Sequence, residues 1–177
     1  MCSLKYLLKS DLLVKPGIKS PNVKSFVRIY LSSPLFRYTV WLRILHSVKK
    51  TKLLLYSPIG FVCYFIFKHY EYKYGVHISS NIEIGPGLHI VHGDGIYVNV
   101  KSIGSNFTIY QNVTFGSIND TEKPLVKDGV TVNPGAVIYG NITLNNHSIV
   151  GANSVVNKDV KENDIVAGVP AHSIRRI

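Results

Sequence analysis

The sequence predicts a mainly β chain, a triangular solenoid of short parallel strands over residues 76–177, preceded by a small basic α-helical region over residues 1–75. Three observations predict it: an apolar residue recurring every six positions, turn-forming residues between those positions, and an abrupt change of texture near residue 76. The first series runs Ile78, Ile84, Ile90 and Ile96, then after a one-residue slip Ile103, Ile109 and Phe115. After a loop it resumes at Val126, Val132, Ile138, Leu144, Val150 and Val156. Four residues after most of these stands a second small or apolar residue: Ile82, Leu88, Phe107, Val113, Val130, Ala136, Ile142, Ser148 and Ser154. Between them lie Gly85-Pro86-Gly87, Asn133-Pro134-Gly135, Gly140-Asn141 and Asn145-Asn146, all turn formers. A lone strand alternates every two residues and a helix every 3.6, so neither holds this register over some eighty residues. One strand and one turn per hexad, with about three hexads closing a coil, stacks the inward side chains into a continuous core.

The first 75 residues read differently. Phe36 to Lys50 places Val40, Leu42, Ile44, Leu45 and Val48 at helical spacing, and Ser33-Pro34 supplies a cap and first turn. Leu53 to Phe67 is uncharged but interrupted by Ser57, Pro58 and Gly60, and falls short of the roughly 20 apolar residues of a membrane span. It reads as a helix buried against neighbouring subunits or lying in a membrane interface, flanked by Lys49, Lys50, Lys52 and Lys68.

Charge is distributed as unevenly as apolarity. Residues 1–75 carry thirteen lysines and arginines against Asp11 and Glu71, a net +11, whereas residues 76–177 carry −1. Basic residues beside apolar helical sequence suit an anionic membrane surface or an anionic glycan. Without a zinc-finger, RNA-recognition or helix-turn-helix pattern, nucleic acid is not expected. Cys2 and Cys63 stand far apart, Cys63 within an apolar run, which fits free thiols in a cytoplasmic setting, with membrane association at the inner face as a further option. Five Asn-x-Ser/Thr sequons occur, and with no secretory leader read ahead of them they carry no weight.

In a regular solenoid most residues are scaffold, so function is sought where the register breaks. Two breaks stand out, His89-Ile-Val-His92-Gly-Asp94-Gly95 and the loop Gly116 to Leu125. Glycines beside a histidine let backbone approach a ligand and free N–H groups to face it.

These segments, with Ile84 to Ile96, Ile109 to Gly116, Gly140 to Thr143, Val150 to Val156 and Ala167-Gly168-Val169-Pro170-Ala171, resemble the hexapeptide-repeat acyltransferases. The resemblance is to the branch of serine acetyltransferases and related O-acetyltransferases of bacterial capsule and exopolysaccharide pathways. It is specific over residues 76–177. Over the first 75 it rests on Ser33 to Arg43. It implies a left-handed parallel β-helix, a homotrimer, and acetyl-CoA as co-substrate in a groove between adjacent β-helices. His92 occupies the position of the catalytic histidine, where a neutral imidazole takes the proton of an acceptor hydroxyl as it attacks the thioester. The same resemblance implies cofactor contacts from Gly116, Ser117, Ala136, Ala152 and Gly168, with Lys158 and Arg175 toward the CoA phosphates. No metal is expected: the histidines lack ligand spacing, and the transfer needs no Lewis acid.

Departures from the serine-specific pattern shape the acceptor expected. Where those enzymes place a carboxylate fifteen residues before the histidine, this chain has His77, and His77, His89, Asp94 and Glu83 are the supporting candidates. Where they place Arg-His before a proline in the inserted loop, this chain has Glu122-Lys123 before Pro124, an acid that opposes a carboxylate substrate. The expectation is therefore acetyl transfer to a sugar hydroxyl of a capsule or exopolysaccharide, with serine O-acetylation of cysteine biosynthesis and a non-catalytic trimeric binding module as the alternatives.

Overall fold

A computed structural model describes residues 2–51, 54, 56–119 and 121–176. The helices α1 (Leu4–Leu13), α2 (Val23–Ser32), α3 (Pro34–Lys50) and α4 (Pro58–Tyr74) come first. Each N-terminus is closed by a side-chain oxygen, from Ser3, Asn22, Ser33 and Ser57. The expected Ser33-Pro34 start is therefore observed, with Pro34 at the first helical position, where its missing N–H is no loss. On α3, Leu42, Leu45 and Val48 bury against the solenoid's core, while Val40 joins Leu12 and Phe36 in a second cluster and Ile44 packs against both. Lys52 and Leu53, at the start of the uncharged run, and Asp120 of the inserted loop lie outside the described residues. The run's helix begins at Pro58 and ends where Gly75 turns left-handed at φ +57.

From Val76 onward the chain is a parallel β-solenoid of three faces. The first face stacks β1 (Val76–Ile78), β4 (Ile96–Val98), β7 (Thr114–Gly116), β10 (Val137–Tyr139) and β13 (Val155–Val156). The second stacks β2 (Glu83–Ile84), β5 (Ser102–Ile103), β8 (Leu125–Val126) and β11 (Thr143–Leu144). The third stacks β3 (His89–Ile90), β6 (Thr108–Ile109), β9 (Thr131–Val132), β12 (Ile149–Val150) and β14 (Asp164–Gly168), and ends in the antiparallel β15 (Ala171–Arg176). All nine second-series residues are buried, as are the first-series residues other than half-buried Ile84. Each aliphatic side chain so buried contributes on the order of 1.5–3 kcal/mol.

The slip is resolved inside β4. Ile96 and Val98 both point inward, and it is Val98 that pairs with Ile78 below and Phe115 above. Extra residues thereby accumulate at the corner between β3 and β4, which bulges from an otherwise regular prism.

The helices cap the solenoid's first coil. The apolar core runs without a break from Tyr38, Leu42 and Phe67 through Val76 and Ile78 to Val166, across the change of element type at residue 75. A buried ion pair completes the joint. Arg43 meets Asp11 at 2.9 Å and donates to the carbonyls of Ile84 and Gly85, while Asp11 Oδ1 accepts the N–H groups of Gly87 and Leu88.

Candidate active site

His92 stands on the bulged corner, its side chain exposed. The corner is fixed from below and above. Tyr74 O accepts the Asp94 N–H at 2.9 Å, Gly75 O accepts that of Ile96 at 3.0 Å, and Asp94 O accepts that of Asn112 at 2.9 Å. Asp94 and Gly95 take left-handed φ values of 69 and 68, which reverse the chain within two residues. Gly93 is forced by packing rather than by φ: a Cβ there would lie 2.8 Å from Tyr74 O and 3.2 Å from Leu35. The helical cap therefore presses directly on the residue after His92. On the other side lies Tyr110, its ring centroid 6.3 Å from that of His92.

The same edge of the prism continues along the molecule. Gln111 O accepts the Gly135 N–H, Pro134 O accepts that of Asn153, and the Gly168 N–H donates to Ser154 Oγ at 3.3 Å. His92, Gln111, Ala152 and Gly168 thus line one edge, the last two exposed as a ligand groove requires. At the last coil of the solenoid, away from that edge, a cavity of about 340 Å³ is lined by Lys158, Lys161, His172 and Arg176 together with Asp159 and Asp164. Arg176, rather than the expected Arg175, faces it.

Other expected residues fall elsewhere. Ala136 is fully buried inside the coil, so its methyl group packs the core and does not line a groove. Gly116 and Ser117 lie across the first face, at the opposite edge, where Asn99 Nδ2 donates to Ser117 Oγ at 3.1 Å. Gly116 has ordinary φ and room for a Cβ, whose nearest neighbour would be Tyr139 at 3.7 Å. The fold does not demand a glycine there.

The four supporting candidates are dispersed by the strand geometry. His77 projects from β1 on the first face, where its Nδ1 lies 3.6 Å from buried Glu71 and its ring neighbours Tyr72 and Tyr97. Glu83, on the second face, pairs with Lys50 at 3.4 Å. His89 projects from β3 on the third face toward the helical cap. Burial first and the Lys15 ammonium second push its pKa down to about 4. Lys15, brought down to about 8 by burial, donates to Ile90 O. Only Asp94 shares the corner with His92, and proximity in sequence misled for His89, since three residues carry the chain from a strand to the next corner.

The inserted loop is shaped by Asn119, whose Oδ1 accepts from the Thr121 and Glu122 N–H groups and the Thr121 hydroxyl. Lys123 then lines a polar cavity of about 590 Å³ with Lys49, Lys68, Glu71, His77 and Asn99. Sequence reasoning passed over several residues around these sites. Tyr74, Leu35 and Gln111 carry no spacing signal, although Gln111 stands nineteen positions after His92, one coil on. Among the described residues Gln111 Oε1 is one of three buried side-chain polar atoms without a partner.

Residues 123–158 match the family model described as bacterial transferase hexapeptide, six repeats. The serine acetyltransferase of Staphylococcus aureus (strain Mu50 / ATCC 700699) is 37% identical over 106 residues, 58% of this chain and 50% of the relative. That of Staphylococcus xylosus is 38% identical over 106 residues, 58% of this chain and 49% of the relative. The chain therefore spans about half the length of the curated relatives it matches. Among solved structures, a serine acetyltransferase in complex with CoA superposes with a TM-score of 0.78 at 26% identity, covering 97% of this chain and 70% of the other. The Neisseria gonorrhoeae serine acetyltransferase in complex with serine gives 0.77 at 26% identity, covering 96% and 68%. These findings overturn the expectation of a capsule or exopolysaccharide sugar as acceptor: the relatives in sequence and in structure are serine acetyltransferases. Glu122 alone does not set the charge of the loop, because its basic neighbour Lys123 lines a cavity with Lys49, Lys68 and Glu71. In its repeats, its solenoid and its relatives, this chain is similar to the bacterial hexapeptide-repeat transferases.

Proposed function

We propose that the protein transfers an acetyl group from acetyl-CoA to the hydroxyl of serine, with His92 as general base. The observation that carries this is the placement of an exposed imidazole on the irregular corner of a solenoid related to serine acetyltransferases, on the same edge as Ala152 and Gly168. Neutral His92 takes the hydroxyl proton as the oxygen attacks the thioester carbonyl. A tetrahedral oxyanion forms and collapses with cleavage of the C–S bond, and the imidazolium returns its proton to the leaving thiolate. Backbone N–H groups at Gly116 and Ser117 are suited to the oxyanion or the pantetheine arm, while Lys158 and Arg176 supply positive charge for CoA phosphates. A strand of three residues, about 10 Å, separates the His92 edge from the Gly116 edge within one chain. A homotrimer that sets one copy's His92 edge against its neighbour's Gly116 edge would assemble both halves, with Lys123 as the cationic partner for the serine carboxylate.

Thiol release from acetyl-CoA in the presence of L-serine tests the reading. The wild-type chain is expected to turn over, and His92→Ala to lose about 10²–10⁴-fold in kcat with little change in either KM. Turnover by His92→Ala at the wild-type rate would remove the proposed base, and absence of serine-dependent release would remove the acceptor.

A further inference from the structure

We propose that the outward face of α4 is a docking surface for an anionic lipid bilayer, on which the helix lies flat. One stripe of this helix is buried in the fold, Gly60, Cys63, Phe67 and Glu71, spaced three and four residues apart, with Tyr70 and Tyr74 packed beside it. The opposite face is largely apolar and exposed: Phe61, Val62, Phe65 and Tyr72 lie on it beside exposed His69 and Lys73, with Ile59 exposed on its flank, Phe65 at 66% and Tyr72 at 72%. An amphipathic helix ordinarily turns such residues inward, so this face lacks a partner that a single chain does not supply. Nor does the helix cross a membrane. It has 17 residues, about 25 Å of rise, and among the described residues no helix is long and apolar enough to span.

Charge identifies the occupant. Residues 1–75 carry +11, with Lys68 and Lys73 on α4 itself and Lys49 and Lys50 at the end of α3. A second copy seated face to face would bring two such halves together and repel, whereas anionic headgroups attract both. Side-chain composition agrees. Phenylalanines and tyrosines beside lysines match the boundary between acyl chains and headgroups, where apolar rings insert and ammonium groups stay in water. The helix α2 repeats the arrangement, with Val23, Val27 and Leu31 exposed at four-residue spacing beside exposed Lys24 and Arg28.

The test is flotation of the purified chain with vesicles of phosphatidylcholine alone and of phosphatidylcholine with phosphatidylglycerol, alongside sedimentation velocity of the protein by itself. Binding is expected to the anionic vesicles only, and to weaken severalfold as salt rises from about 0.1 M to about 1 M. Replacing Phe61→Ser and Phe65→Ser together should lower partitioning by about tenfold or more, and Lys73→Gln should weaken it while leaving the apolar face intact. Both variants alter exposed side chains, and an unchanged thermal midpoint shows that loss of binding is not loss of folding. No binding to either vesicle, or equal binding to both, overturns the proposal. So does a Phe61→Ser, Phe65→Ser double variant that changes sedimenting mass without changing vesicle binding, because the face then belongs to a second copy.

Discussion

The histidines show how position in the coil decides what one residue type does. His92 was legible because a glycine-flanked histidine interrupts a six-residue period that otherwise holds from Ile78 to Val156. His89 lies only three residues earlier, yet it projects from a strand into the helical cap, where burial and Lys15 oppose its protonation. The folded chain keeps that ring neutral down to about pH 4, while the unfolded chain takes up a proton through about pH 6.5. Stability from this group is therefore complete above about 6.5 and is lost as pH falls toward 4. His89→Gln should flatten the dependence of the thermal midpoint on pH across that interval, as read by melts at half-unit steps. A variant as acid-sensitive there as the wild type would place the responsible group elsewhere. The buried environment that makes His89 a stability element was not legible, because Lys15 reaches it from 74 positions away.

Strands and corners are the scale at which sequence and structure agree most closely, because the hexad period is a direct image of the coil. The second-series residues all turned inward for that reason, including Ser148 and Ser154, whose small size fits the corners. What the period could not show is how a slip is absorbed, since Ile96 and Val98 satisfy the inward position equally well and only pairing with Ile78 distinguishes them. Two glycines separate fold from function. At Gly93 an added methyl would meet the Tyr74 carbonyl at 2.8 Å, and backbone there cannot yield without moving the corner. Gly93→Ala should cost about 1–3 kcal/mol by urea denaturation and lower kcat by displacing His92. At Gly116 the nearest atom would be 3.7 Å away, so Gly116→Ala should leave stability within about 0.5 kcal/mol. A raised KM for acetyl-CoA in that stable variant would mark Gly116 as cofactor surface, and a fall in stability would instead make it a structural glycine.

At the scale of the whole molecule, the joint between helices and solenoid is the feature least visible in the sequence. The change of composition near residue 76 marks where helices give way to the solenoid, and the core is continuous across it, with Asp11 pinned to residues 32, 76 and 77 positions distant. No periodicity encodes contacts so remote. Asp11 is also more than half of an ion pair. Its carboxylate, fully buried, accepts from Arg43 and from two backbone N–H groups at the turn Gly87-Leu88. Removing it leaves a buried guanidinium and two donors unmatched, so Asp11→Ala should cost about 3–5 kcal/mol in urea denaturation. A self-contained ion pair would be largely restored by exchanging both partners for apolar residues of similar volume. Here Asp11→Leu with Arg43→Met should recover only part of the loss, because the N–H groups of Gly87 and Leu88 and the carbonyls of Ile84 and Gly85 stay orphaned. Full recovery in the double variant would mean that the backbone contacts contribute nothing and that the cap is held by apolar packing alone.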